Sequence, residues 1–224
     1  MSVTAESEPA AEDTSPRADS DRATDATTEG GTADRILAEA LGAFAARGVE
    51  ATSLDSVAAG IGVRKQTLLY WFPSKEALLL AVIDHAVAQV GEALRDAVLA
   101  APATGIEAKL SAAVDATFRL GRTRPELLAL VREISRVGRP ALTHFGEVVD
   151  PLLSGAAEAI ASATPEITAE QARVVLVEMG ARVVGLATEA ELLEALGQPP
   201  ELAWLRRRRR ALLNELASRL TTTR

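Results

Sequence analysis

The chain has 224 residues, 48% apolar and 3% aromatic, with no cysteine and two histidines, His85 and His144. That inventory excludes a disulfide scaffold, a thiolate zinc site, a cysteine nucleophile and a multi-histidine metal centre, so neither metal nor cofactor is expected. The net charge is −7, but the first thirty residues hold eight of the 31 acids against two arginines, so the rest is near neutral and nucleic acid remains open as a partner.

Residues 1–30 are Ala, Ser, Thr, Asp, Glu and Pro without periodicity, and read as a disordered acidic tail that cannot offset its chain entropy by burial. The acidic start is not a targeting peptide, and no apolar run approaches the ~20 residues that span a bilayer. A cytoplasmic protein with no membrane partner is expected.

From Thr32 onward the pattern is helical. Thr32 can cap a first helix whose Ile36, Leu37, Ala40, Leu41 and Phe44 form one apolar face, and Gly48 stops it. Thr52 and Asp55 have capping-box spacing, with Ser53 a second candidate cap, for a short helix burying Leu54, Val57, Ala58 and Ile61. A tight turn at Gly60 and Gly62 leads to another short helix from about Arg64 to Trp71, broken at Phe72-Pro73. Ser74 caps a fourth helix running to about Leu99.

Glycine and proline punctuation then predicts helices near 104–120, 125–137, 140–162, 167–196 and 200–221. Val174-Val175-Leu176-Val177 could be a strand by composition, but its long uninterrupted context favours helix. The fold class is all-α with about nine helices. A small helical subdomain ends within the fourth helix, and a larger bundle follows.

Helix, glycine turn, short helix over 52–72 is the order of a helix-turn-helix. In such a unit the first residues of the second helix reach base edges in the major groove. Here they are Arg64, Lys65, Gln66 and Thr67. Arg pairs bidentately with guanine, Gln with adenine, and Thr can touch a thymine methyl. Thr52, Ser53, Tyr70, Trp71 and Lys75 carry donors suited to phosphates.

The string GVRKQTLLYWFPSKEALL at 62–79 resembles the signature of TetR-family transcriptional regulators. TSLDSVAAGIG at 52–62 is similar to that family's second helix, and Phe44-Ala-Ala-Arg-Gly48 to the end of its first. The specific resemblance covers about residues 31–90. It implies a DNA-binding domain over 31–90, with its motif at about 53–72, and a ligand-binding and dimerisation domain over 91–224. It places base contacts on Arg64, Lys65, Gln66 and Thr67, and phosphate contacts on Thr52, Ser53, Tyr70, Trp71 and Lys75. The chain departs from the family pattern twice: Leu69 stands where the family carries a first aromatic, and Trp71 where it commonly has His.

The resemblance further implies a homodimer on a palindromic double-stranded operator, released by a small-molecule effector bound among helices four to eight. The dimer would form through its last two helices. Val177, Ala181, Val184 and Gly185 offer one apolar stripe for that contact; Leu205, Leu212, Leu216 and Leu220 offer another. Candidate pocket residues are Phe118, Arg119, His144 and Phe145, with Arg132, Glu133 and Trp204 as further possibilities that core or surface roles would explain equally well.

Two other readings compete. A helical enzyme would use Asp84-His85 or His144, although no nucleophile motif accompanies them, and a helical adaptor would not touch DNA at all. Arg206 to Arg210 invites a nucleic-acid role, but five consecutive helical residues spread around the axis, so ion pairs with nearby acids are expected instead.

Overall fold

The computed structural model describes residues 18–102 and 105–222. Among them are nine α-helices and no strand: α1 (Ala18–Arg47), α2 (Leu54–Gly60), α3 (Lys65–Trp71), α4 (Lys75–Ala100), α5 (Ile106–Thr123), α6 (Pro125–Val137), α7 (Ala141–Ala163), α8 (Ala169–Ala195) and α9 (Leu202–Thr222). The all-α architecture agrees with the punctuation in the sequence, and Val174–Val177 lie within α8. Pro125 at the first turn of α6 loses no intrahelical donor, and Gly138 at φ 77° ends it. A capping box between Thr168 and Gln171 opens α8.

One start differs from expectation, and another is decided between two candidates. Helix α1 is already running at Ala18, upstream of the expected Thr32 cap, so Thr32 lies inside it. Gly30-Gly31 costs helix stability without removing a backbone donor, so a helix nucleated by its packed part can propagate back through the pair. The tail expected at 1–30 falls outside the described residues as far as residue 17. The cap of α2 is Ser53, whose hydroxyl accepts from Ser56 N–H at 3.0 Å, rather than Thr52.

Burial is organised in two cores. The first packs Ile36, Leu41 and Phe44 of α1 against Val57 of α2, Leu68 of α3, and Leu78, Val82 and Ile83 of α4. It does not stop at residue 90, because Leu127, Leu130 and Ile134 of α6 and Ala141 of α7 belong to it. Among the described helices α4 alone is long and apolar enough to cross a bilayer by length and composition; here its apolar face is the centre of this core.

The second core joins Ala157 and Ile160 of α7, Ala172, Val175 and Met179 of α8, and Leu212, Leu216 and Leu220 of α9, with α5 packed alongside. These α9 leucines therefore do not offer a free stripe. They are spent inside the chain, and only Leu205 remains half-buried.

Candidate nucleic-acid interface

Helix α3 is two turns long and depends on tertiary packing for its place, since so short a helix is not stable alone. Leu68 supplies the anchor: it is 0% exposed and packs in the first core, while Trp71 and Phe72 pack partly against that core. Gly62, at φ 73°, takes the left-handed conformation that lets the chain reverse between α2 and α3. With Leu68 turned inward, Arg64, Lys65, Gln66 and Thr67 are all exposed at the N-terminal end of the helix.

Arg64 and Gln66 have no side-chain partner among the described residues. Lys65 pairs with Asp55 at 2.7 Å, but both groups are solvated, so the pair is weak and readily exchanged for a stronger anion. Tyr70 is 75% exposed and stands edge-on to Trp71, with ring centroids 5.4 Å apart. Ser53 is exposed at the start of α2. These seven residues form a donor-rich surface around α3 with an apolar underside.

Two expected phosphate contacts have other partners. Thr52 is 1% exposed, and its hydroxyl donates to Gly48 O at 2.8 Å, with Ala43 O at 3.3 Å. Lys75 Nζ donates to the carbonyls of Val49, Glu50 and Thr52 at 3.0, 3.2 and 3.3 Å. An ammonium has three N–H donors, so Lys75 is fully occupied holding the α1–α2 turn.

The four candidate pocket residues lie on two helices, α5 and α7. Phe118 packs beside the second core and Phe145 beside the first; Arg119 is exposed, and His144 Nε2 meets Asp84 Oδ1 at 2.7 Å. The adjacent Asp84-His85 is not an acid–base pair either. Asp84 turns to His144, linking α4 to α7, while His85 meets Gln89 at 2.5 Å. In the arginine run, Arg208 pairs with Glu189 and lies over Trp204, and Arg209 grips Asp115 with two bonds. Two of the five arginines thus bridge to neighbouring helices.

Glu133 is buried on α6 and accepts the Val49 N–H at 2.5 Å. Arg136 binds both its oxygens at 2.8 Å and holds its carboxyl below the ordinary glutamate range against the opposing effect of burial, and the Val49 N–H lowers it further. A signal for this existed in the sequence, since Glu133 falls on the apolar face of α6 beside Leu127, Leu130 and Ile134. An acid on such a face needs a partner.

Residues 36–82 match the family described as "Bacterial regulatory proteins, tetR family". Over 48 residues the chain is 50% identical to the HTH-type transcriptional regulator RutR of Escherichia coli K12, covering 21% of this chain and 23% of that protein. It is 40% identical over 60 residues to the HTH-type transcriptional regulator EthR of Mycobacterium tuberculosis, covering 27% and 28%. The matches thus span about a quarter of either relative.

Over most of its length the chain shares a fold with the fatty acid degradation regulator FadR from Bacillus halodurans (TM-score 0.66, 17% identity, 85% of this chain and 99% of that one). A TetR transcriptional regulator from Legionella pneumophila is similar too (TM-score 0.61, 21% identity, 81% and 95%).

Proposed function

We infer that this chain is a member of the TetR family of bacterial regulatory proteins and a sequence-specific DNA-binding transcriptional regulator, a reading supported by the match over residues 36–82. It acts as a cytoplasmic homodimer that represses from a palindromic operator and is released by a small molecule. The observation that carries this reading is the exposed Arg64–Thr67 quartet at the start of a short helix whose other face is locked by Leu68.

The chemistry follows from that placement. Arg64 offers a rigid fork to guanine O6 and N7, Gln66 a donor and an acceptor to adenine, and Thr67 a methyl to thymine. Lys65 exchanges Asp55 for a base or a phosphate. Ser53, Tyr70 and Trp71 flank the quartet and hold the backbone, which sets register without reading sequence. Thr52 and Lys75 serve this surface indirectly, by fixing the turn from which α2 starts.

One such unit makes too few base contacts for tight specificity, so two are needed about 34–36 Å apart, one turn of DNA. Helix α8 supports the pairing. Val174, Val177, Ala181, Gly185 and Leu192 recur at helical spacing on an exposed face, with Val177 52% and Leu192 60% exposed. A groove of about 310 Å³ between α8 and α9, lined in part by Gly185, Leu186 and Leu212, is open beside it. A second copy covering that face buries apolar surface that otherwise stays in water.

Release requires an effector that binds the DNA-incompetent arrangement more tightly than the competent one, since equal affinity shifts nothing.

Selection of bound duplexes from a random DNA pool tests the reading. An enriched inverted repeat with half-sites one helical turn apart is the expected result. Recovery of unenriched sequences overturns it.

A further inference from the structure

The turn joining α1 to α2 carries no base-reading side chain, yet side chains bond it from two sides. From α4, Lys75 donates to three of its carbonyls. From α6, Glu133 accepts the Val49 N–H at 2.5 Å, and Arg136 grips both oxygens of that carboxylate while reaching Glu50 at 3.8 Å. Gly48 lies against the same carboxylate at φ 83°, where a Cβ would sit 3.1 Å from Oε1. The turn therefore has little freedom to move relative to α6, and α2, capped by Ser53, begins directly after it.

The residue preceding Glu133 faces elsewhere. Arg132 bonds Glu191 at 2.7 Å and Thr188 at 3.2 Å, both on α8. Thr188 is one helical turn from Leu192 on the exposed apolar stripe. Adjacent residues of one helix thus hold the turn that launches α2 and the helix that carries the stripe.

We propose that Glu133 is a positioning residue for DNA reading, and that α6 is a strut, beside the packing of α7 on α4 and α8, through which the DNA-facing helices and α8 constrain one another. The DNA-reading half of this rests on the function proposed above. The mechanical half stands on the contacts alone. A shift of α8 relative to the α1–α2 turn strains the Arg132 bonds if α6 stays with the turn and the Val49 bond if α6 follows α8, and coupling of this kind acts equally in both directions.

The two tryptophans report the two ends, Trp71 in α3 and Trp204 in α9. Full-length Trp204→Phe and Trp71→Phe proteins each keep one reporter for urea unfolding. The two midpoints are expected to coincide. Glu133→Ala separates them, with the Trp71 transition moving to lower urea and the Trp204 transition remaining. Glu133→Gln, which keeps an oxygen for Val49 N–H, restores most of the coincidence.

Arg132→Met cuts the strut at its other end without touching a buried group, so it keeps the test open should Glu133→Ala not fold. It too should separate the transitions. Midpoints that differ in the parent proteins, or that fall together or stay fixed in both variants, overturn the strut.

On DNA, Glu133→Ala is expected to weaken binding to a selected operator about tenfold more than to random duplex. Equal loss on both overturns the positioning role. If the unmutated protein shows no sequence preference, the DNA-reading proposal fails by itself, and the urea experiment still decides the strut.

Discussion

The two cores of this chain are finished to different degrees. Around α1–α4 and α6, side chains such as Phe44, Ile36, Leu41, Leu68, Ile83 and Ile134 are sealed almost completely from solvent. The second core has fewer such side chains, Ile160 among them. Its helix α8 leaves Val174, Val177 and Leu192 in water, and Leu196 and Leu202 are exposed just beyond. The head is thus complete within one chain, whereas the body leaves an apolar face for something else to cover. A reading surface must be rigid before DNA arrives, because every freedom lost on binding weakens it. A dimerising surface is stable only when shared.

The largest effect that would break this contrast is in the head. Leu68→Ala should cost about 2–5 kcal/mol of stability by leaving a cavity beneath α3. Its cost should be the same at every protein concentration; a concentration-dependent loss in chemical unfolding would show that the head leans on a second chain.

In the body, Val177→Glu adds charge to a half-exposed position and should leave the single chain's fold intact. Light scattering should show its mass falling from two chains to one. A variant that stays paired places the dimer contact elsewhere.

Lys75→Met removes the donors from three carbonyls, at about 1–2 kcal/mol of stability. The salt dependence of DNA affinity should not change. A slope lowered by about one would return Lys75 to the phosphate backbone.

The smallest effect comes from acid. Because the Glu133 carboxyl is held below its ordinary value, its contribution to stability is present at neutral pH. It starts to fade below the unfolded glutamate value near pH 4 and is gone beneath the lowered one. Glu133→Gln should flatten that part of the stability–pH curve, and an unchanged curve would contradict the assigned ion pair.

Helix order was legible because glycine and proline punctuate it: Pro125 and Gly138 bound α6 at both ends. The start of α1 was not, since the residues before Thr32 include no proline after Pro16 to stop a helix spreading backward. Thr52 and Ser53 are adjacent hydroxyls that can both cap a helix, and the packing of Thr52 under α1 leaves the role to Ser53. Lys75 is a long cation with a choice of partners, and its choice depends on where the α1–α2 turn comes to rest.

The same limit explains the leucines of α9. An apolar stripe states that it will be covered, but not whether its own chain or a partner will do it. Phe118 and Phe145 pack beside different cores, and no local pattern fixes which core each aromatic joins. Arg64 to Thr67 were easier to read. A short helix with one apolar anchor must expose what surrounds that anchor.

The claim that these four side chains read bases is tested most directly by comparing Arg64→Ala with the unmutated protein on a selected operator and on random duplex. Arg64→Ala should lose about 1–3 kcal/mol of binding on the operator alone, with relaxed preference at one symmetric pair of positions. An equal loss on both DNAs would reduce Arg64 to a phosphate contact and refute base reading by this residue.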